Sequence, residues 1–218
     1  MSTRPAGTSH VPVMFDMDGT LVDLAAPPSE LAELRAEVRA LAERERVALD
    51  HFGIFPMYRA LCVAGRGADE ARELLDQYEV RWARTSARPL VSPYRLAGFL
   101  SSSSAALVTS NGRACVAALR DGGLLPDGFL VEVTRDDCAH LKPHPEPVRR
   151  AVAVLDEAAP SGALTADDLV LFVGDSDADR LAVDAYRRTR DAPLLRFLRV
   201  SPADGSPDPV DVATGSVG

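Results

Sequence analysis

The sequence predicts an α/β protein with a parallel sheet at its core, and three observations carry this prediction. From residue 106 onward, short apolar segments alternate with amphipathic helical patterns, which is typical of parallel strands joined by helical crossovers. Residues 11–15 form one more apolar run near the start of the chain. A chain of 218 residues can form one such core and still carry an inserted subdomain. We therefore expect a doubly wound, Rossmann-like core with an all-helical insertion.

The core elements follow from the alternation of apolar strands and amphipathic helices. Residues 11–15 predict the first strand, which groups with the later ones because parallel strands of this kind share one sheet. The later strands are expected at residues 106–109, 129–133, 169–173 and 194–200, and the helices at 113–120, 145–157 and 178–190.

Residues 24–93 are predicted to form the helical insertion, which we call the cap. Ser29 is a candidate N-cap because it follows two prolines and precedes an apolar stripe with helical spacing. A second helix is expected over residues 68–84, with apolar side chains on one face and acidic ones on the other. The stripe of the first helix consists of Leu31, Leu34, Val38 and Leu41.

The predicted domain organisation places the core at residues 11–23 and 94–200, with the cap between them. Residues 1–10 and 201–218 are rich in Pro, Gly, Ser, Thr and Asp and lack apolar periodicity. Such segments bury too little apolar surface to offset the entropy of ordering. We expect both to be disordered tails.

Composition and charge exclude several classes of protein. The chain is 46% hydrophobic and 26% charged, and no apolar run approaches the about 18 to 20 residues that span a bilayer, so we expect no membrane association. A net charge of −8 disfavours nucleic acid as a partner, because such binding depends on neutralising phosphates. Three cysteines leave one unpaired in any disulfide scheme, and residues 1–10 lack the apolar stretch of a secretory signal. A cytoplasmic location is expected.

Two acidic residues follow the first predicted strand directly, in the segment Asp16-Met17-Asp18-Gly19-Thr20. A strand that ends in two carboxylates, a glycine turn and a hydroxyl delivers them to the carboxyl edge of the sheet, where open α/β sheets bind ligands. An isolated segment of this kind could equally be an Asp-Gly turn between a strand and a helix. Three later segments favour a reaction centre.

Polar residues also end two later strands of the predicted core. Thr109, Ser110 and Asn111 follow the second strand and precede a helix start, where backbone amides favour a phosphate. A further strand ends in Gly174-Asp175, with another carboxylate four residues on at Asp179. The sequence therefore places hydroxyls and acids at one edge of the sheet.

Lys142 is the only lysine among the 24 basic residues of the chain, and it lies in the segment Leu141-Lys142-Pro143-His144. A chain that uses arginine for every other positive charge would lose lysine wherever a generic charge suffices. The presence of lysine at this position indicates a site that needs a compact ammonium group and not the planar guanidinium of arginine.

These four segments, in this order, resemble the motifs of the haloacid dehalogenase superfamily: DxDGT, a strand that ends in Thr or Ser, a Lys-Pro lysine and GDxxxD. The resemblance extends from about residue 11 to about residue 186. It implies a Mg²⁺-dependent hydrolase of a small phosphorylated metabolite, such as a sugar phosphate, a nucleotide or a phospho-acid. It also implies that the cap is mobile and covers the site.

The resemblance assigns a role to each motif residue. It implies that Asp16 is the nucleophile that forms an aspartyl-phosphate and that Asp18 is the general acid and base. The phosphoryl group would be bound by Thr109, Ser110, Asn111 and Lys142. The Mg²⁺ ligands would be Asp16, the backbone carbonyl of Asp18 and Asp175, with Asp179 behind them, and Arg66 would contribute to substrate specificity from the cap.

Particular residues favour or disfavour alternative functions within and outside this superfamily. Asp18 favours phosphoryl transfer over dehalogenation, which needs no such acid, and a cap without lysine argues against Schiff-base phosphonatase chemistry. A phosphomutase of the β-phosphoglucomutase kind and a non-catalytic metabolite-binding protein remain alternatives. Cys138, His140 and His144 could suggest a transition metal, but they lack the spacing of a closed four-ligand site. The oligomeric state is left open between monomer and dimer.

Overall fold

The computed structural model describes residues 11–159, 164–165, 167–189, 193–201, 205 and 207–215. Its centre is a sheet of five parallel strands, namely β1 (Val13–Phe15), β4 (Ala105–Val108), β5 (Val131–Val133), β6 (Leu169–Gly174) and β7 (Leu194–Arg199). Their order across the sheet is β5-β4-β1-β6-β7. The predicted α/β class and parallel sheet are confirmed.

The order of the strands determines where a ligand would bind. From β1 the chain passes through the cap to β4 and then to β5, and it returns to the other side of β1 for β6 and β7. Phe15 is in register with Leu107 of β4 and with Val173 of β6. The carboxyl end of β1 is thus flanked by two strands whose crossovers diverge, which is the position where open α/β sheets form a crevice.

Helices cover both faces of this sheet, and an apolar core lies on each side. On one face, α6 (Glu146–Glu157) and α7 (Asp177–Arg187) pack on Met14 and Phe172. The other face packs against α4 (Pro93–Leu100) and α5 (Arg113–Asp121), with Phe15 and Phe99 in an edge-to-face contact at 5.7 Å between ring centroids. The first strand is buried on both faces, which explains its uninterrupted apolar sequence.

Three helices form the cap, namely α1 (Pro28–Arg44), α2 (Ile54–Ala64) and α3 (Ala68–Thr85). The cap is joined to the core through a short antiparallel ribbon of β2 (Val22–Asp23) and β3 (Arg88–Pro89). Its apolar side chains, including Leu75 and Trp82, belong to the same buried cluster as Phe15. No described helix is both long enough and apolar enough to cross a membrane.

Two details of the predicted cap differ from the structure. Ser29 is not the N-cap of α1: the helix begins at Pro28, with Pro27 at the N-cap and no side-chain capping hydrogen bond. Proline fixes φ near the helical value and loses no hydrogen bond at a first turn, so it sets the start of the helix. Helix α2 was not predicted, because its sequence is apolar almost throughout and shows no polar face.

The prediction that residues 201–218 form a disordered tail is wrong for part of that segment. Residues 209–214 form helix α8 (Pro209–Thr214), which begins with an Asp208 side chain accepting from the Val210 amide. Val210 is buried against the core, and Arg95 of α4 donates to Asp208 and Asp211 at 2.8 and 2.7 Å. A helix of six residues is too short to show an apolar periodicity in the sequence. Residues 1–10 lie outside the described residues.

Candidate active site

Asp16 follows β1 at the carboxyl edge of the sheet, and its amide donates to the Val173 carbonyl at 2.9 Å. The chain then makes a tight loop in which Gly19 has φ +85°. A Cβ atom at Gly19 would lie 2.4 Å from Oδ2 of Asp175, so a side chain at this position would collide with that carboxylate. The DxDGT segment therefore needs its glycine both for the backbone angle and for the close approach of β6.

Lys142 extends its ammonium group into the middle of this edge and is almost fully buried. Its Nζ donates to Oδ1 of Asp16 at 2.5 Å, to Oδ1 of Asp179 at 2.6 Å and to the Val108 carbonyl at 3.0 Å. An ammonium has three hydrogens, and each has an acceptor. A guanidinium could not fill this slot in the same way, which agrees with the reasoning from the lone lysine.

The loop that carries Lys142 is held by Glu146 at the start of α6. The Glu146 carboxylate accepts from the amides of Ala139 and His140, from Nδ1 of His140 and from the Arg150 guanidinium. The His140 and His144 rings stack at 4.3 Å between centroids, and these two rings and Glu146 lie close enough together to suggest a metal site. The carboxylate is already saturated by donors, so we interpret this cluster as a support for the Lys142 loop.

Asp175 and Asp179 come from the end of β6 and the first turn of α7. Oδ2 of Asp179 accepts from the amide and the hydroxyl of Ser176 at 3.1 and 2.5 Å, which closes a capping box at the start of α7. These hydrogen bonds orient the Asp179 carboxylate so that its other oxygen, Oδ1, accepts from Lys142. Carboxylate oxygens of Asp16, Asp175 and Asp179 all lie within 4.8 Å of one another.

The electrostatics of these three acids show an excess of negative charge. Burial and repulsion from Asp179 raise the pKa of Asp16 well above its usual range, although Lys142 opposes the shift. The pKa of Asp175 is also raised, by burial and by Asp179. Burial lowers the pKa of Lys142, but Asp16 and Asp179 raise it more, so its net shift is upward and it stays protonated. One ammonium among three carboxylates leaves a site that a further cation would stabilise.

Asp18 lies two residues beyond Asp16 and faces a cavity between core and cap. Its Oδ1 accepts from the Leu24 amide at 3.0 Å. Desolvation by the surrounding protein raises the pKa of Asp18 to about 6, with a smaller contribution from the charge of Asp175 and against the effect of the Leu24 hydrogen bond. A carboxyl group with this pKa can both give and take a proton near neutral pH.

Thr109, Ser110 and Asn111 form the turn between β4 and α5. The Thr109 hydroxyl donates to Oδ1 of Asn111 at 2.9 Å and accepts from the Asn111 amide at 3.1 Å. The N-cap of α5 is Gly112, so Asn111 lies directly before the start of the helix. Because Lys142 contacts the carbonyl of Val108, this turn starts one residue beyond the Lys142 slot, at the same edge as Asp16.

Arg66 is the predicted site residue that the structure does not bring to this edge. It lies in the turn between α2 and α3, is exposed, and lines neither the cavity beside Asp18 nor the one beside the His140 loop. Its role in specificity stays a prediction.

The structure reveals one buried group that the sequence analysis missed. Arg135, in the short turn after β5, donates to both carboxylate oxygens of Glu79 in the cap at 2.8 and 3.0 Å and to Oδ1 of Asp76 at 2.5 Å. It also donates to the carbonyl of Ser110, and Glu79 accepts from the Gly112 amide at 2.9 Å. The cap is therefore tied to the Thr109 turn by a buried ion pair.

Among the described residues, cavities lie between the cap and the core, and two of them adjoin loops at the carboxyl edge of the sheet. One of about 290 Å³ is lined by Asp18 and Asn111 together with cap residues that include Phe55 and Trp82. The other, of about 420 Å³, lies between α2 and the His140 loop and is lined by none of the residues proposed for the reaction. Size alone favours the second cavity, but the chemistry favours the first, because only that one contains the acid Asp18.

The fold and this edge define an α/β protein with a Rossmann-like core, a helical cap and a carboxylate-lysine cluster where β1, β4 and β6 end. The chain has the fold of haloacid dehalogenase-like hydrolases of known structure. No family model matches the sequence, and the search of curated proteins also finds no match.

Solved structures establish the shared fold. Phosphatase Tt82 from Thermococcus thioreducens is similar with a TM-score of 0.57 and 18% identity, covering 94% of this chain and 100% of the other. A hydrolase from Pseudomonas syringae has a TM-score of 0.55 and 21% identity, and the match covers 94% of this chain and 90% of the other. A HAD-superfamily hydrolase from Ehrlichia chaffeensis has a TM-score of 0.50 and 19% identity, and the match covers 89% of each chain. At these identities the likeness concerns the fold alone.

Proposed function

We propose that this protein is a Mg²⁺-dependent phosphatase that hydrolyses the phosphomonoester of a small metabolite through an aspartyl-phosphate. The observation that carries the proposal is the contact of Lys142 with both Asp16 and Asp179 at the carboxyl edge of the sheet. It brings three of the four motifs into one cluster, with Asp18 beside a cavity. Hydrolases and a phosphatase of the same fold support the choice of reaction.

The donor set fits Mg²⁺. The cluster offers carboxylate oxygens from Asp16, Asp175 and Asp179, which are the hard ligands that this ion takes, and it carries more negative charge than Lys142 neutralises. Asp16, the Asp18 carbonyl and Asp175 would hold the ion, with Asp179 supporting Lys142. When bound, Mg²⁺ supplies charge neutralisation for the phosphoryl oxygens.

The residues of the chain account for each remaining step. A carboxylate oxygen of Asp16 attacks phosphorus, a P–O bond forms, and the bond to the leaving oxygen breaks as Asp18 donates its proton to that oxygen. Asp18 then takes a proton from water, the water oxygen attacks phosphorus, and the bond to Asp16 breaks to release phosphate. Lys142 and the Thr109–Asn111 turn would bind the phosphoryl oxygens.

The three cysteines, Cys62, Cys115 and Cys138, are free thiols in the structure. This supports a reducing compartment such as the cytoplasm as part of the proposal.

A phosphate-release assay tests the proposed reaction. A panel of phosphomonoesters is incubated with the full chain in Mg²⁺ or in EDTA, and with the variant Asp16→Asn. Asp177→Asn is a matched control, because that side chain lies on the neighbouring turn and is exposed. We expect release that needs Mg²⁺, disappears in Asp16→Asn and persists in Asp177→Asn. Release that survives in Asp16→Asn would refute the assigned nucleophile.

A dependence of turnover on added sugar bisphosphate would instead indicate the phosphomutase alternative.

A further inference from the structure

We infer that the site selects phosphomonoesters whose leaving alcohol is uncharged or cationic and rejects those whose leaving group carries a carboxylate or a second phosphate. The inference rests on the proposed function and specifies its substrate class. It is drawn from the walls of the 290 Å³ cavity beside Asp18.

The position of the cavity identifies it as the place of the leaving group. Asp18 must reach the leaving oxygen within hydrogen-bond distance to protonate it, and Asp18 lines this cavity. Asn111, from the turn proposed to bind the phosphoryl group, lines it too. The organic part of the ester, which begins at that oxygen, therefore extends toward the cap side of the same cavity.

The cap side of the cavity is mainly apolar. Leu31, Ile54, Phe55 and Trp82 contribute side chains to its wall. The one polar group of Trp82, its indole Nε1–H, already donates to Glu30 at 2.9 Å. The ring thus offers only its apolar surface to a ligand.

The charged groups in the wall are all acidic. Among the described residues that line this cavity, the ionisable ones are Asp18, Asp23 and Glu79, and none is a lysine, arginine or histidine. Asp18 enters the proposed reaction as the protonated acid, so it adds no charge to the wall when the substrate binds. Asp23 is neutralised by Arg88, whose Nη2 lies 2.7 Å from Oδ2 of Asp23. The buried Arg135 forms ion pairs with both Glu79 and Asp76, so one cation faces two acids. The cations near the cavity are thus occupied, and the net charge facing the ligand is negative.

A negative wall discriminates strongly between leaving groups. An anionic substituent would lose its water on entering an apolar cavity and would find no cation in exchange, next to like charges. An uncharged alkyl or aryl group loses little hydration free energy on entering the cavity. An ammonium group would be attracted by the negative charge of the wall. The volume, at the lower end of the roughly 300 to 1,000 Å³ of small-molecule sites, restricts the leaving group to a small one.

The test uses four esters of one chain length: butyl phosphate and the same chain ending in ammonium, carboxylate or a second phosphate. Their binding to Asp16→Asn is measured by calorimetry in Mg²⁺, and their hydrolysis by the unaltered protein is measured as kcat/KM. We expect the carboxylate and bisphosphate to bind and react at least about tenfold more weakly than butyl phosphate, because like charges repel in a dry site. The ammonium ester should equal or exceed butyl phosphate.

A charge reversal in the wall provides the second arm. Phe55→Arg places a cation in the cavity, whereas Ala64→Arg adds the same charge at an exposed position of α2 that lines neither cavity. The carboxylate ester should gain about tenfold over butyl phosphate in Phe55→Arg and not in Ala64→Arg.

The outcomes separate this inference from the proposed function. If no ester is hydrolysed, the proposed reaction fails, and the order of the calorimetric affinities still decides the inference. If the carboxylate or bisphosphate ester binds as well as butyl phosphate, the inference is overturned even where hydrolysis depends on Asp16.

Discussion

Arg135 of the core and Glu79 of the cap form a buried ion pair, with Nη1 and Oε1 2.8 Å apart. The Arg135 side chain has no exposed surface, and Glu79 is 2% exposed. Taking two charges out of water is costly, so such a pair contributes little by itself but becomes a large liability when one partner is lost. The pair therefore specifies how the cap sits on the Thr109 turn.

The first prediction concerns this pair. Arg135→Met should lower the free energy of unfolding by about 3 to 5 kcal/mol, because it leaves Glu79 buried without its cation. The double variant Arg135→Met/Glu79→Met should be more stable than Arg135→Met alone, giving a coupling energy of about 0.5 to 3 kcal/mol in urea titrations. Arg95→Met, which removes the exposed ion pairs with Asp208 and Asp211, should cost about 1 kcal/mol or less. Strictly additive effects at Arg135 and Glu79 would contradict the pairing.

The second prediction concerns the lone lysine. Lys142→Arg should reduce phosphate release by about 100-fold or more, since the planar guanidinium cannot place three donors on Asp16, Asp179 and Val108 at once. The measurement is Mg²⁺-dependent release at saturating substrate. Arg149→Lys, the opposite exchange at an exposed site on α6, serves as the control and should leave the rate unchanged. Near-normal rates in Lys142→Arg would show that only charge matters at this position.

The third prediction compares two glycines that both have positive φ. Gly65→Ala, at φ +64° with open space around the new Cβ, should cost about 1 to 2 kcal/mol of stability from backbone strain alone. Gly19→Ala, at φ +85°, should cost more and should also abolish phosphate release, because its Cβ would displace Asp175. Unfolding titrations and the release assay separate the two effects. Equal costs at both glycines would argue against the close approach of Asp175.

The fourth prediction concerns pH and Glu146. Burial would raise the pKa of Glu146, but hydrogen bonds from His140, the Ala139 amide and Arg150 outweigh it and lower the pKa to about 2 from its ordinary 4.5. A pKa lowered on folding stabilises the protein fully above pH 4.5, and this stabilisation is lost as the pH falls toward 2.

The pH dependence of the stabilisation by Glu146 can be measured with a variant that lacks the charge. The difference in unfolding free energy between the unaltered protein and Glu146→Gln should be largest near neutral pH and should shrink between pH 4.5 and 2. Glu157→Gln, at an exposed position of the same helix, should show no such trend. A constant difference for Glu146→Gln across this range would mean that the carboxylate is not bonded as described.

The sequence predicted which residues meet at this edge of the sheet, because each of them lies in a short local pattern. Asp16, Lys142, Asp175 and Asp179 each follow a strand or a loop with a distinct residue pattern, and the parallel sheet brings strand ends together. The strand positions were also found to within one or two residues for most strands. The apolar runs of the three central strands, β1, β4 and β6, are buried on both faces of the sheet.

The remainder depends on contacts between distant residues. Arg135 and Glu79 are 56 positions apart, and neither stands out from the many other arginines and acids of the chain. Only the docking of α3 on the core makes them partners. The cavity wall is likewise assembled from α1, α2 and α3, so its polarity could not be derived before the cap was placed.

The confinement of the only lysine to a buried slot has a practical consequence. Acylating and cross-linking reagents that attack side-chain amines have a single target in this protein, and there the amine is protonated and shielded by Asp16 and Asp179. Biotin esters and amine-coupled sensor surfaces will therefore find no side-chain attachment point on the native protein. Conversely, modification of that amine would report directly on unfolding of this edge of the sheet.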